Sequence, residues 1–185
     1  MGPLGYILIA ILVILVIYFI SVYNSLVKLN NNVKEAFSTM DVYLKKRWDL
    51  IPNLVETVKG FAKHEKDTLE EVVKLRNGAY DKMSTDEKIE NNTKLSAGIT
   101  KIMALAEAYP DLKANQNFLS LSADLSNVEA DIANSRKYYN GVVKIFNNKV
   151  MMFPSNIIAN MLGYKEQKMF EVDSSEERKN VKVQF

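Results

Sequence analysis

A chain of 185 residues with 24 Lys and Arg against 22 Asp and Glu is nearly charge-balanced, which argues against the basic surface that nucleic-acid binding needs. Zero cysteines exclude a disulfide frame, a thiolate nucleophile and cysteine metal sites, and one histidine, His64, excludes paired-histidine metal motifs. Four prolines and seven glycines, with 25% charged residues, favour long helices over a sheet.

The first predicted element is Leu4 to Tyr23, LGYILIAILVILVIYFISVY, which holds no charged residue. About 20 such residues, at roughly 1.5 Å rise each, match the ~30 Å hydrocarbon core of a bilayer. A cleaved signal peptide would carry a basic flank, a shorter apolar run and a small-residue cleavage site. Here no Lys or Arg precedes the run, and bulky Tyr18, Phe19 and Tyr23 close it. The expectation is a retained single-pass anchor over residues 1–25, with Leu4, Ile7, Ile11, Leu15, Phe19 and Tyr23 in lipid. Lys28, Lys34, Lys45, Lys46 and Arg47 all follow the run, so the positive-inside rule places the N-terminus outside and the bulk of the chain in the cytoplasm.

Leu26, Leu29, Val33, Ala36 or Phe37, Met40, Tyr43 or Leu44, and Arg47 or Trp48 then recur at steps of three and four, which predicts that the anchor continues as a helix to about Leu50. Pro52 is expected to break or kink it and to open a second helix reaching about Tyr80, with Asn77-Gly78 marking where that helix frays. Trp48 is expected to wedge into this turn. Ser84 and Glu87 form a capping-box pattern at the start of a third helix, whose stripe is Ile89, Leu95, Ile99, Ile102, Met103, Ala106 and Tyr109. Pro110-Asp111 closes it.

A fourth helix is predicted from Leu112 to about Met152. Phe118, Leu125, Ile132, Tyr139 and Phe146 fall at steps of seven, the pattern of a bundle or coiled-coil seam. The fold class expected is therefore all-α: an N-terminal transmembrane helix continuing into an elongated antiparallel four-helix bundle over residues 26–153. Residues 154–170 form a short apolar segment in which Ile157, Ile158, Met161, Leu162 and Tyr164 suit an amphipathic helix. Its readings are a lid on the bundle, a subunit contact or contact with the membrane surface. Residues 171–185 make a mixed-charge tail ending in the strand-like Val181–Phe185.

Chemistry is hard to find in this inventory. His64-Glu65 is not followed by a second histidine, and phosphate-loop, dinucleotide and nucleophile-elbow patterns are missing from the sequence. Glu70, Glu71, Asp86, Glu87 and Glu90 are spaced as solvated helix faces. Asn117, Glu129, Arg136, Tyr139 and Asn140 form a polar group on the fourth helix, with Glu129 and Arg136 seven apart on one flank and Asn140 four after Arg136. Glu129, Arg136 and Asn140 are expected to form a structural polar set that fixes helix register, the other reading being a functional polar groove. No catalytic, cofactor or metal residue is assigned.

Taken together, the anchor followed by Tyr23–Glu65, then YPDLKANQNF (Tyr109–Phe118), VEADIANSRKYYN (Val128–Asn140) and FPSNIIANMLGYK (Phe153–Lys165), resembles the LemA family of bacterial membrane proteins. That resemblance implies a single-span anchor and an α-helical bundle, and it implies no enzyme, cofactor or metal. The function expected is a non-enzymatic scaffold that self-associates and organises or shapes the membrane. Its partners would be the lipid bilayer and further copies of itself, with contacts through Phe118, Leu125, Ile132, Tyr139, Phe146, Ile157, Ile158, Met161 and Leu162. The alternative is an adaptor for another membrane protein in envelope stress or signalling.

Overall fold

The computed structural model describes residues 2–76 and 79–170. The expectations for Asn77-Gly78 and for the tail from Glu171 onward lie outside the described residues. Among the described residues the chain is all-α, in the order α1 (Pro3–Phe61), α2 (Lys66–Leu75), a 3-10 turn (Tyr80–Lys82), α3 (Thr85–Glu107), α4 (Pro110–Lys113), α5 (Gln116–Met151) and α6 (Ser155–Met161). It divides into two compact units. One holds the chain through Met40 with Ser135–Met169; the other holds Asp41–Asn134.

In the first unit, α1 has no Gly or Pro between Tyr6 and Met40, so nothing local interrupts it. Leu26, Val33, Ala36 and Met40 of the stripe that the three-four spacing predicts are buried, and Leu29 and Phe37 are half-buried; Val22, inside the expected anchor, is buried as well. The rings of Phe37 and Tyr139 meet edge to face at 5.9 Å. This contact fixes direction. Phe37 stands three residues inside the unit's limit on α1, and Tyr139 four inside its limit on α5. Both helices can then stay in the unit only by running antiparallel. At about 1.5 Å per residue, Val150 comes level with Leu26, each eleven residues from that contact.

The second unit packs Asp41–Phe61 of α1 with α2, α3, the short α4, and α5 up to Asn134. The expected break at Pro52 does not occur, and the chain stays helical to Phe61. An interior proline costs roughly 3 kcal/mol. Burial of Ile51, Leu54, Val55 and Val58, each worth roughly 1.5–3 kcal/mol, outweighs it. The helix ends instead at Ala62–Glu65, where the buried stripe runs out and the Glu65 N–H turns back to the Ala62 carbonyl at 3.2 Å.

The capping box at Ser84 forms as its spacing predicts. The Ser84 hydroxyl accepts from the Glu87 N–H at 3.3 Å, and the Glu87 carboxylate accepts from the Ser84 N–H at 2.7 Å. These bonds, backbone first, hold the Glu87 carboxyl below its ordinary range. The buried stripe of α3 is Ile89, Asn92, Leu95, Gly98, Ile102 and Ala106; Ile99 and Met103, which the spacing selects, are half-buried. The long helix expected from Leu112 is interrupted, because the Asn115 carboxamide caps α5 by accepting from the Phe118 N–H at 3.1 Å.

Gly98 is the closest approach of α2 to α3. A Cβ there would stand 2.9 Å from Val72 Cγ2 and 3.5 Å from Leu75 Cδ1. Gly98→Ala gains up to about 1 kcal/mol of helix propensity but incurs overpacking of roughly 1–3 kcal/mol. We expect net destabilisation of about 1 kcal/mol, and a smaller cost of Val72→Ala in the Gly98→Ala background than in the parent. Denaturation of the four chains as a double-mutant cycle measures this.

Candidate functional site

Two surfaces stand out, one in each unit. In the first unit, the side chains of α1 before Ser21 are almost wholly uncovered. Leu4, Ile7, Ile11, Leu15, Phe19 and Tyr23, the residues expected in lipid, are all exposed, as are Leu8, Leu12, Ile14 and Ile17 between them. Among the described residues, α1 is the one helix long and apolar enough to cross a membrane. Water disfavours such a surface and hydrocarbon does not, so it fits a bilayer-spanning segment.

The same unit builds α6 with care. Ser155, buried at the start of α6, places its hydroxyl 2.7 Å from the Lys149 carbonyl and 2.9 Å from that of Met152, donating to one at a time. This satisfies carbonyls left open at the end of α5 and ties α6 to it. At its other end, Gly163 takes φ +74°, the left-handed region that glycine adopts without steric cost. The Gly163 N–H bonds the Asn160 carbonyl and the Tyr164 N–H the Ala159 carbonyl, the paired bonds of a Schellman cap.

The chain then returns along α5. The Tyr164 ring packs on Phe146 at 5.9 Å, Asn147 exchanges two 2.9 Å bonds with the backbone of Gln167, and the Tyr139 hydroxyl donates to the Lys168 carbonyl at 3.0 Å. Ile158 and Ala159 are buried by this arrangement, while Ile157, Met161 and Leu162 remain exposed with Met151, Met152 and Phe153 before them.

The second unit carries a polar centre around Arg47, whose side chain is 2% exposed. Its Nη1 lies 2.6 Å from Glu129 Oε2 and donates to Asn92 Oδ1 at 3.2 Å, and its Nη2 donates to the Ser96 hydroxyl. One guanidinium thus joins α1, α3 and α5. Burial lowers the Arg47 pKa from its ordinary value, and the Glu129 charge opposes the shift. Beside it, Asp41 accepts from the Tyr80 hydroxyl at 2.7 Å and pairs with Lys88 at 2.8 Å. Trp48 is buried, with its ring 5.4 Å from that of Tyr80 and the Arg76 guanidinium 5.8 Å from its own. The turn at Pro52 into which it is expected to wedge does not form; the ring packs instead on Tyr80 and Arg76.

Burial first, then the hydrogen bond to Asp41 and the charges of Asp41, Asp49 and Asp81, push the Tyr80 phenol far above its ordinary value. The phenol is neutral when protonated, so a raised folded-state pKa favours the folded form once an unfolded tyrosine would not ionise. That contribution is whole below about pH 10, the unfolded value, and declines as pH rises further. We expect the alkaline fall in stability of the parent chain to begin near pH 10 and to be shallower in Tyr80→Phe. Denaturation midpoints across that range test it.

Of the expected polar set, Glu129 is held by Arg47 on α1, whereas Arg136 and Asn140 lie in the first unit, half-buried. Phe118, Leu125, Ile132, Tyr139 and Phe146 are buried inside the chain, so this seam supplies core. Ile158 is likewise buried; Ile157, Met161 and Leu162 are exposed. His64 is exposed at the turn after α1. No group of three or more metal-ligating side chains comes together among the described residues. Sequence reasoning passed over Asn92, Ser96, Asn147, Ser155 and Gly163. A polar residue or glycine on an otherwise apolar stripe was the signal available for Asn92, and a Gly after a short helix that for Gly163.

Comparison with known proteins agrees with this architecture. The family model described as LemA family matches residues 36–185. Protein LemA of Metamycoplasma hominis is 28% identical over 177 aligned positions, covering 92% of this chain and 80% of that protein. Magnetosome proteins MamQ 2 and MamQ 1 of Paramagnetospirillum magneticum are each 22% identical over 175 positions, covering 80% of this chain. The match spans 64% of the length of either MamQ protein.

Proposed function

Since the chain belongs to the LemA family, we propose that it is a non-enzymatic, membrane-anchored scaffold that organises or shapes the bilayer from the cytoplasmic side. The observation that carries this reading is the uncharged, uncovered stretch of α1 from Leu4 to Tyr23, continuous with a helix whose next turns are buried by folded protein. The first basic residue, Lys28, comes after that stretch, which supports an external N-terminus and a cytoplasmic helical body. The anchor confines copies to one plane and raises their effective concentration, so contacts too weak to act in solution can hold them together. Self-association is proposed on this basis and does not call on the α5 seam, which the chain has used for its own core.

That same burial favours a second reading. A chain that closes its own seam can act as a single copy, binding a different membrane protein through its polar surface. The native mass of the full chain, extracted in mild detergent, separates the two. The scaffold reading predicts several copies per particle. A single copy at every concentration, crosslinked in stoichiometric yield to one foreign membrane protein, would overturn it in favour of the adaptor.

A further inference from the structure

The exposed apolar face of α6 has a defined position relative to the anchor, because both belong to the first unit. Val150 stands level with Leu26, and the chain then continues through Phe153 into α6. Val22 is 2% exposed, yet every side chain before it on α1 from Tyr6 to Ser21 is exposed. Protein cover of α1 therefore ends about where α6 lies, and there the helix passes into its lipid-facing stretch. Ile157 and Met161, four apart on α6, share one face and are 53% and 71% exposed; Phe153, in the turn just before α6, is 79% exposed. Ser155, Ile158 and Ala159 on the other side are buried, and the Ser155 hydroxyl and the Gly163 cap hold the helix in place.

The chemistry of this stretch matches an interface between water and lipid. From Val150 to Tyr164 there is no charged residue, and Lys149, Lys165 and Lys168 border the run with one acidic residue, Glu166, among them. An apolar face rimmed by lysines partitions into the boundary between headgroups and acyl chains of an anionic leaflet, the lysines staying at the phosphates.

We propose that Met151–Leu162 is a second, shallow membrane contact: the α6 face inserts into the same leaflet from which α1 emerges. The body is then held to the bilayer at two points, the spanning helix and an adjacent wedge. A wedge in one leaflet would supply a means for the membrane shaping proposed above, and the inference rests on α1 spanning that bilayer.

The cysteine-free sequence allows single labels on the full chain. NBD is attached at Asn160→Cys on α6, at Tyr138→Cys on the exposed side of α5, and at Leu15→Cys in the anchor. Each protein is reconstituted, dilute, in phosphatidylcholine–phosphatidylglycerol vesicles carrying nitroxide lipids labelled at shallow or deep acyl positions. The expected result is several-fold stronger quenching at position 160 than at 138, greatest with the shallow nitroxide. At position 15 the deep nitroxide should quench best. Phe153→Asp with Met161→Asp, both at exposed positions, should bring quenching at 160 down to the level at 138. Quenching at 160 equal to that at 138, with position 15 quenched normally, would overturn the wedge and leave the anchor intact. Shielding of 160 that vanishes on dilution with lipid would assign the face to a second copy and also overturn it. An unquenched position 15 would remove the anchor, and the wedge with it.

Discussion

Glu129→Ala is expected to destabilise the second unit by about 2–3 kcal/mol, far more than removal of an ordinary exposed carboxylate. The asymmetry of the pair is the reason. Glu129 is 55% exposed and would cost little to leave in water, but its partner Arg47 is 2% exposed and cannot follow it out. Removing one member of a buried pair commonly costs 3–5 kcal/mol, because the other charge is stranded. Solvent reaching the Glu129 side reduces that here. Glu129→Gln keeps an acceptor oxygen and should cost less. Arg47→Met in the Glu129→Ala background removes the stranded charge and should recover part of the loss, although Asn92 then gives up a partner. Trp48, the sole tryptophan, sits in the same unit, so its fluorescence during urea denaturation reads the transition directly. Equal, small effects of Glu129→Ala and Glu129→Gln would show that Arg47 is not relying on this charge.

Ile11→Arg combined with Leu15→Arg is expected to abolish stable insertion. At the centre of a span each Arg costs roughly 2.5–3.5 kcal/mol in place of an apolar residue worth roughly −0.5, so the pair shifts insertion by about 6–8 kcal/mol. The apolar residues of the whole stretch supply roughly 5–10 kcal/mol on the same scale. The doubly substituted chain should therefore move from the carbonate-resistant membrane fraction to the extractable one, while either single change leaves most of it inserted. The helical body, which shares no core residue with positions 11 and 15, should keep its circular dichroism. A double variant that stays in the carbonate-resistant fraction contradicts the assignment of this stretch as the membrane span.

What sequence could and could not reveal follows from the range of the interactions involved. The capping box of Ser84 and Glu87 is local, four residues long, and forms as read. The uncharged apolar run and the three-four stripe of α1 are properties of one helix and are equally legible. Pro52 was misread because a local penalty was set against a burial energy that only the folded unit reveals. Asn92 is missing from the expected stripe of α3 because an apolar count favours Ile99 and Met103, whereas the packing needs a hydrogen-bond acceptor for Arg47; the small residues of that stretch, Gly98 among them, leave the gap that Val72 fills. Spacing along one helix marks Glu129 as part of a polar set but does not reveal which other helix supplies its partner; that partner is Arg47, 82 positions earlier in the chain. The α5 seam was correctly seen as apolar and regular; whether it faces the chain's own helices or another copy is not a property of periodicity.

Labelling of full-length chains with a membrane-impermeant maleimide in intact cells tests the anchored, inward-facing body most directly. Gly2→Cys, before the apolar stretch, and His64→Cys, at the exposed turn after α1, each place one thiol in a sequence that has none. The account predicts that the thiol at position 2 reacts in intact cells and that the one at position 64 reacts only after permeabilisation. Reaction of position 64 in intact cells, or of neither until the cells are opened, would contradict it.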